Sequence, residues 1–68
     1  MRLRLREVRT AKGVTQQALG DVLGKSDVSI LRYEKGRAPI TLNDLDKIAR
    51  YLGVDIMDLI ELENKAQM

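Results

Sequence analysis

Four glycines and one proline divide this chain of 68 residues into segments of about ten residues. Glycine favours the left-handed turn that ends a helix, and proline cannot continue through a helix interior. Gly13, Gly24, Gly36 and Gly53 each follow a segment with helical spacing of apolar residues, and Pro39 comes soon after the third of them. The spacing therefore predicts five short α-helices.

Capping residues indicate where these helices begin. Thr15, Ser26 and Thr41 are good N-cap residues, and Thr41 with Asp44 resembles a capping box in which Asp replaces Glu. The predicted helices cover about 2–12, 16–23, 26–35 and 41–52. A fifth, short helix follows Asp55 and carries Ile56, Leu59, Ile60 and Leu62. The predicted apolar face of the fourth helix is Leu42, Leu45, Ile48, Ala49 and Leu52.

The beginning of the first helix has two interpretations. Arginines and leucines alternate from Arg2 to Arg6, and this period of two alone would fit a strand. Leu5, Val8 and Ala11 recur at helical spacing, however, and a lone strand would have no partner. We therefore predict a helix from about residue 2 and no strand.

Gly20 is the only glycine inside a predicted helix. Glycine in a helix interior costs about 1 kcal/mol relative to alanine. We expect another backbone segment to approach this position closely.

The composition argues against an enzyme. The chain has no Cys and no His, so it lacks disulfides, thiolate metal sites and the commonest general base. Aromatic residues make up 3%, which requires an aliphatic core, and Leu19, Ile30, Leu45 and Ile48 are assigned to it. There is no glycine-rich phosphate loop, and the carboxylates of residues 44–63 fit solvated helix faces. We predict no catalytic residues, no metal, no cofactor and no small-molecule ligand.

Charge is distributed unevenly along the chain. Residues 1–37 carry nine Lys/Arg and four Asp/Glu, a net +5, whereas residues 38–68 carry three and six, a net −3. A basic half is typical of proteins that bind a polyanion. No apolar run approaches the roughly 20 residues of a membrane span, and no signal peptide is recognisable, so we expect a cytoplasmic protein.

The second and third predicted helices are separated by only about three residues around Gly24. So short a link sets two helices at a steep angle, as in a helix-turn-helix. In that motif the second helix lies in the DNA major groove and the first crosses the phosphate backbone.

Several short motifs carry a resemblance to a known family. They occur in one register over residues 5–62: Leu5-Arg6-Glu7-Val8-Arg9, Gly13, Thr15-Gln16-Gln17-Ala18-Leu19, Leu23-Gly24, Ser29-Ile30, Arg32-Tyr33-Glu34-Lys35-Gly36, Pro39 and Leu45 to Leu52. Together they resemble the Xre family of phage-repressor-like, Cro-type helix-turn-helix domains. The resemblance implies an all-α, compact five-helix lambda-repressor-like domain over 1–62, followed by a frayed tail over 63–68.

The resemblance also implies roles in DNA binding. The positions that face or adjoin bases are Asp27, Val28, Ser29, Leu31 and Arg32. The positions placed for the DNA backbone are Gln16, Gln17, Ser26, Lys35, Arg37 and Thr41. Asp27 suits the positive end of a helix dipole and could also accept a hydrogen bond from cytosine N4. Arg9 and Glu34 would form a partly buried ion pair between the first and third helices.

The expected partner is operator DNA. Such domains bind near-palindromic sites as dimers, and the expected homodimer contact is Val54, Ile56, Met57 and Ile60. In so short a chain, part of this apolar surface could equally belong to the core. We predict a bacterial or phage-encoded regulator, most simply a repressor. The alternative is a protein-interaction module of the same fold, as in an antitoxin or a restriction–modification controller, because Val28 and Leu31 are apolar on the outward face.

Overall fold

The computed structural model describes residues 2–61. It contains two short strands, β1 (Arg2–Leu3) and β2 (Ile60–Glu61), and four α-helices. The helices are α1 (Leu5–Ala11), α2 (Gln16–Leu23), α3 (Asp27–Glu34) and α4 (Leu42–Leu52), and a 3₁₀ helix (Ile56–Leu59) follows α4. Leu62 and the predicted frayed tail over 63–68 lie outside the described residues.

Three helices begin with the side-chain caps that the sequence indicates. The hydroxyl oxygens of Thr15, Ser26 and Thr41 accept hydrogen bonds from the backbone N–H groups three residues later, at 3.0, 3.3 and 3.1 Å. The Thr41 cap differs in one respect from the predicted capping box. The Asp44 carboxylate accepts a hydrogen bond from the Tyr33 hydroxyl at 3.1 Å, so it ties α4 to α3.

The N-terminus forms a strand, and the predicted helix from residue 2 is wrong. Arg2 pairs with Glu61 and Leu3 with Ile60 in an antiparallel two-stranded sheet. The backbone N–H of Arg4 then donates to the carbonyl of Leu59 at 2.7 Å, and α1 begins only at Leu5. Of the alternating stretch from Arg2 to Arg6, only Arg2 and Leu3 lie in a strand, and their partners, Ile60 and Glu61, lie near the other end of the described chain.

The predicted fifth α-helix is also wrong. After α4 the chain makes a single 3₁₀ turn over Ile56–Leu59, and Ile60 is already extended, with φ −128° and ψ 149°. Leu59 is fully buried, so the apolar spacing marked a core contact correctly but not a continuing helix. Residues 2–61 therefore contain four α-helices rather than five.

The core is aliphatic apart from Tyr33 and draws on all four helices and the 3₁₀ helix. Its buried apolar residues are Leu5, Leu19, Ile30, Tyr33, Leu45, Ile48, Ala49, Leu52 and Leu59. Leu42, predicted to face this core, is instead 70% exposed at the first turn of α4. No helix within residues 2–61 is long and apolar enough to span a bilayer.

The turn between α2 and α3 requires glycine at two positions. Gly24 ends α2 in the left-handed region, with φ 70°, and the N–H of Lys25 donates to the carbonyl of Gly20 at 2.8 Å. A Cβ atom at Gly20 would lie 2.6 Å from the Lys25 carbonyl oxygen and 3.0 Å from the Ser26 carbonyl carbon. The expected close backbone approach at Gly20 is therefore confirmed, and it fixes how α3 leaves α2.

Candidate nucleic-acid interface

One side of α3 packs into the core and the other is free. Ile30 and Tyr33 are buried, which orients the helix about its own axis. Helical spacing then places five side chains on the outer side, and all of them are exposed: Asp27, Val28, Leu31, Arg32 and Lys35. We call these five residues the α3 outer face.

The side chains of the α3 outer face are not engaged elsewhere. Within residues 2–61, the side chains of Asp27, Arg32 and Lys35 make no hydrogen bond or ion pair with another side chain. Val28 is 49% exposed and Leu31 36% exposed, so both present apolar surface on this side of α3. The face therefore offers two cations, one carboxylate and two apolar groups to a partner.

Ser26 and Ser29 interact with each other at the start of α3. Ser26 caps the helix through the N–H of Ser29, and the two hydroxyl oxygens lie 3.5 Å apart. Ser29 is half-buried, whereas Ser26 is exposed. Ser29 is thus less accessible than the α3 outer face, and an N-cap hydroxyl such as that of Ser26 keeps a proton that it can still donate.

Several residues expected at a DNA backbone are exposed on the segments that precede and follow α3. Gln17 is exposed in the first turn of α2 and Arg37 is exposed just after α3. The N–H of Arg37 donates to the carbonyl of Arg32 at 2.8 Å, which closes the end of the helix and holds the two arginines near each other. Thr41 is exposed at the start of α4, where free backbone N–H groups attract anions.

A buried network lies directly behind this surface. The Arg9 guanidinium pairs with the Glu34 carboxylate at 2.6 Å, and the two side chains are only 10% and 2% exposed. Arg9 also donates to the carbonyl of Val14 at 2.8 Å. Gln16 Nε2 donates to the same Glu34 carboxylate at 3.0 Å. Glu34 therefore joins the three helices α1, α2 and α3 at one point.

The contact between Gln16 and Glu34 was not foreseen from the sequence. Gln16 lies in the first turn of α2 and Glu34 at the last residue of α3, 18 positions apart. No periodicity links such positions. One amide proton of Gln16 is used by Glu34, and the second remains available, so the amide is held in one orientation at the edge of the α3 outer face.

The four residues expected at a dimer contact are not equally accessible. Met57 is 61% exposed. Val54, Ile56 and Ile60 are half-buried and pack against the core, and Ile60 belongs to β2. A cleft lined by Ala49, Val54, Ile56 and Met57 is bordered by Asp46 and Arg50, which form an ion pair at 3.0 Å.

Charge pairing continues at the two-stranded sheet. Arg2 donates to Glu61 at 2.6 Å and lies 3.5 Å from Glu7. The hydrogen bond to Glu61, with the negative charges of Glu7 and Glu61, raises the pKa of the Arg2 guanidinium above its ordinary value. Within residues 2–61, no three Asp or Glu side chains converge as metal ligands would.

The comparison with known families agrees with this geometry. A family model described as "Helix-turn-helix" matches residues 5–59, which include α1 to α4 and the 3₁₀ helix. The chain belongs to the Xre-like helix-turn-helix family. This is a family of DNA-binding transcription regulators.

One relative of this chain is a prophage-derived protein. The SPbeta prophage-derived uncharacterized HTH-type transcriptional regulator YonR of Bacillus subtilis (strain 168) is 41% identical over 51 residues, which are 75% of this chain and 47% of YonR. The chain thus spans about half the length of that relative.

Two solved structures show the same fold at high similarity. The restriction-modification controller protein C.AhdI from Aeromonas hydrophila superimposes with a TM-score of 0.76 at 33% identity, over 84% of this chain and 86% of that one. The clp gene regulator ClgR from Corynebacterium glutamicum gives 0.76 at 29% identity, over 81% of this chain and 58% of that one. The match to C.AhdI covers nearly the whole of both chains.

Proposed function

We propose that this protein is a sequence-specific, double-stranded DNA-binding transcriptional regulator that acts as a repressor in the cytoplasm of a bacterial host. The α3 outer face carries the proposal, because its five side chains are exposed on a helix that the core and Gly20 hold in a fixed orientation. The named relatives, a prophage regulator, a restriction-modification controller and a clp gene regulator, support it.

In this proposal α3 inserts into the major groove. Arg32 donates to guanine O6 and N7, the commonest specific contact of arginine, while Val28 or Leu31 meets a thymine methyl group. Asp27 lies at the positive end of α3. It adds base specificity rather than affinity, since phosphates repel a carboxylate. Ser29 supports this face from its half-buried position beside Ser26.

The phosphate contacts come from the residues around α3. Gln16 and Gln17 approach one strand from the start of α2, with Ser26 beside them. Lys35, Arg37 and Thr41 approach the backbone from the end of α3 and the start of α4. These contacts fix the register of the protein on DNA but carry little sequence information of their own.

We further propose that two copies bind a palindromic operator, with half-sites about one helical turn apart. Met57 is the residue best exposed for the contact between copies. Val54, Ile56 and Ile60 form the half-buried floor beneath it and serve the core at the same time. Binding of the dimer to its operator would block polymerase.

A second function has one observation in its favour. Val28 and Leu31 together expose apolar surface on α3, which would also suit a protein partner, as in an antitoxin or a controller. A protein-interaction module of this kind need not bind DNA. The two functions therefore differ in their response to duplex DNA and to salt.

Fluorescence anisotropy with a labelled duplex of random sequence tests the proposal. A protein that neutralises several phosphates loses affinity with salt by about 0.9 log unit per log unit for each phosphate. We expect a slope corresponding to several phosphates. An absence of binding at low salt, or an affinity independent of salt, would exclude the DNA-binding function and favour the protein-interaction module.

A further inference from the structure

A polar cleft adjoins the α3 outer face, and its α1 side has no role in the function proposed so far. It runs between α1, the beginning of α2 and the end of α3. It consists of two neighbouring depressions that share Arg6, Glu34 and Lys35, and Thr10 lines one of them and Gln16 the other. Leu31 borders the part near Gln16, so the cleft opens beside the residues expected to contact DNA.

The carboxylates of this cleft are already neutralised. Glu34 is paired with Arg9 at 2.6 Å and its side chain is only 2% exposed. Glu7 lies 3.5 Å from Arg2 and 3.7 Å from Arg4. Each carboxylate of the cleft therefore has at least one arginine within ion-pair distance, and the pair at Glu34 is buried.

Two cations of the cleft have no such partner. Arg6 and Lys35 are both exposed, and no carboxylate of residues 2–61 lies within ion-pair distance of either. Gln16 adds an amide that Glu34 holds in place at 3.0 Å. The cleft thus combines two free positive charges with an oriented hydrogen-bond donor.

We propose that Arg6, together with Lys35 and Gln16, binds a phosphodiester group of the DNA backbone in this cleft. The inference rests on the proposed DNA-binding function and extends it, since α1 then takes part in binding and not only α2 and α3. A guanidinium can donate two parallel hydrogen bonds to one phosphate, which suits Arg6 better than a lysine for this position.

A structural role for the Arg6 side chain has little support. The side chain makes no hydrogen bond or ion pair within residues 2–61, and the bond from the Thr10 hydroxyl uses only the Arg6 backbone carbonyl, at 2.8 Å. Replacing the side chain should therefore leave the fold intact. This separates Arg6 from Arg9, whose side chain is part of the buried network.

The test compares the salt dependence of four proteins on the same labelled random-sequence duplex: wild type, Arg6→Ala, Arg6→Lys and Lys47→Ala. Lys47 is an exposed cation of α4 that lines neither part of the cleft, so it controls for net charge. Arg6→Ala should lower the salt slope by about 0.9, and its affinity deficit should shrink about 3.5-fold between 50 and 200 mM salt. Arg6→Lys should restore most of the slope, and Lys47→Ala should retain the wild-type slope.

The outcomes separate this inference from the proposed function. If wild type does not bind duplex DNA in a salt-dependent way, the function itself fails. If wild type shows a steep slope and Arg6→Ala shows the same slope, only the Arg6 contact is overturned. An equal decrease in Arg6→Ala and Lys47→Ala would also overturn it, because the effect would then be one of net charge. Circular dichroism of the four proteins should show equal helix content.

Discussion

At the scale of single residues, Glu34 joins three helices through a buried carboxylate. Its carboxylate accepts from Arg9 and Gln16, and its side chain is almost completely buried. A buried ion pair is costly to desolvate, so it orients helices more than it stabilises them. Removing one partner, however, leaves a buried charge without compensation.

Arg9→Ala should therefore destabilise the protein by about 3–5 kcal/mol. The double variant Arg9→Met with Glu34→Leu should be less destabilised than Arg9→Ala, since it leaves no unpaired charge. Urea unfolding followed by circular dichroism measures both. Equal stabilities for Arg9→Ala and wild type would show that the ion pair between Arg9 and Glu34 is exposed to solvent and not buried.

The residues of the site were predictable to different degrees. The exposed side chains of α3 follow from the spacing of Ile30 and Tyr33, because a helix with a defined inner face has a defined outer face. The hydrogen bonds from Gln16 to Glu34 and from Tyr33 to Asp44 join residues on different helices, and no local pattern indicates such pairs. The free charge on Arg6 could not be inferred either, since it depends on which carboxylates the fold pairs with other cations.

At the scale of elements, local chemistry predicted the helices and missed the strands. Caps and terminal glycines act within a few residues, so Thr15, Ser26 and Thr41 could be assigned from sequence. The pairing of Arg2–Leu3 with Ile60–Glu61 joins two-residue strands across the whole described chain. Its stability comes from tertiary packing, which short sequence patterns do not encode.

The helix-turn-helix depends on Gly20 at this scale. Gly20→Ala would gain about 1 kcal/mol of helix propensity but would place a Cβ 2.6 Å from the Lys25 carbonyl oxygen. Because the contact is with backbone, the turn must shift, at a cost of about 1–3 kcal/mol. We expect the free energy of unfolding of Gly20→Ala, measured by urea denaturation, to be about 1 kcal/mol lower than that of wild type.

The matched control for Gly20→Ala is Asp21→Ala. Asp21 is the next residue of α2 and is exposed, so its replacement should change stability by no more than about 0.5 kcal/mol. Gly20→Ala should also weaken DNA binding more than its loss of stability alone would, because it displaces α3. A Gly20→Ala protein that is more stable than wild type would show that the turn adapts freely.

At the scale of the whole molecule, the small core limits what a dimer contact can use. Val54, Ile56 and Ile60 already pack against the core, so substitutions there would lower stability and association together. Met57→Lys changes an exposed side chain. It should shift the monomer–dimer equilibrium, measured by sedimentation, toward monomer. It should also raise the protein concentration needed to occupy a DNA site. Leu42→Lys, at an exposed leucine outside the cleft that Met57 lines, should leave the sedimentation equilibrium unchanged. Equal effects of the two substitutions would place the contact elsewhere.

Parallel selection of bound sites from random duplex DNA, by wild type and by Arg32→Ala, shows whether α3 reads DNA bases. Wild type should enrich a near-palindromic motif with half-sites about one helical turn apart. Arg32→Ala should lose preference at one position in each half-site, with a cost of about 1–3 kcal/mol for the wild-type base there. Base readout by α3 would be contradicted if wild type enriched no motif. It would also be contradicted if Arg32→Ala enriched the same motif with the same preference at every position.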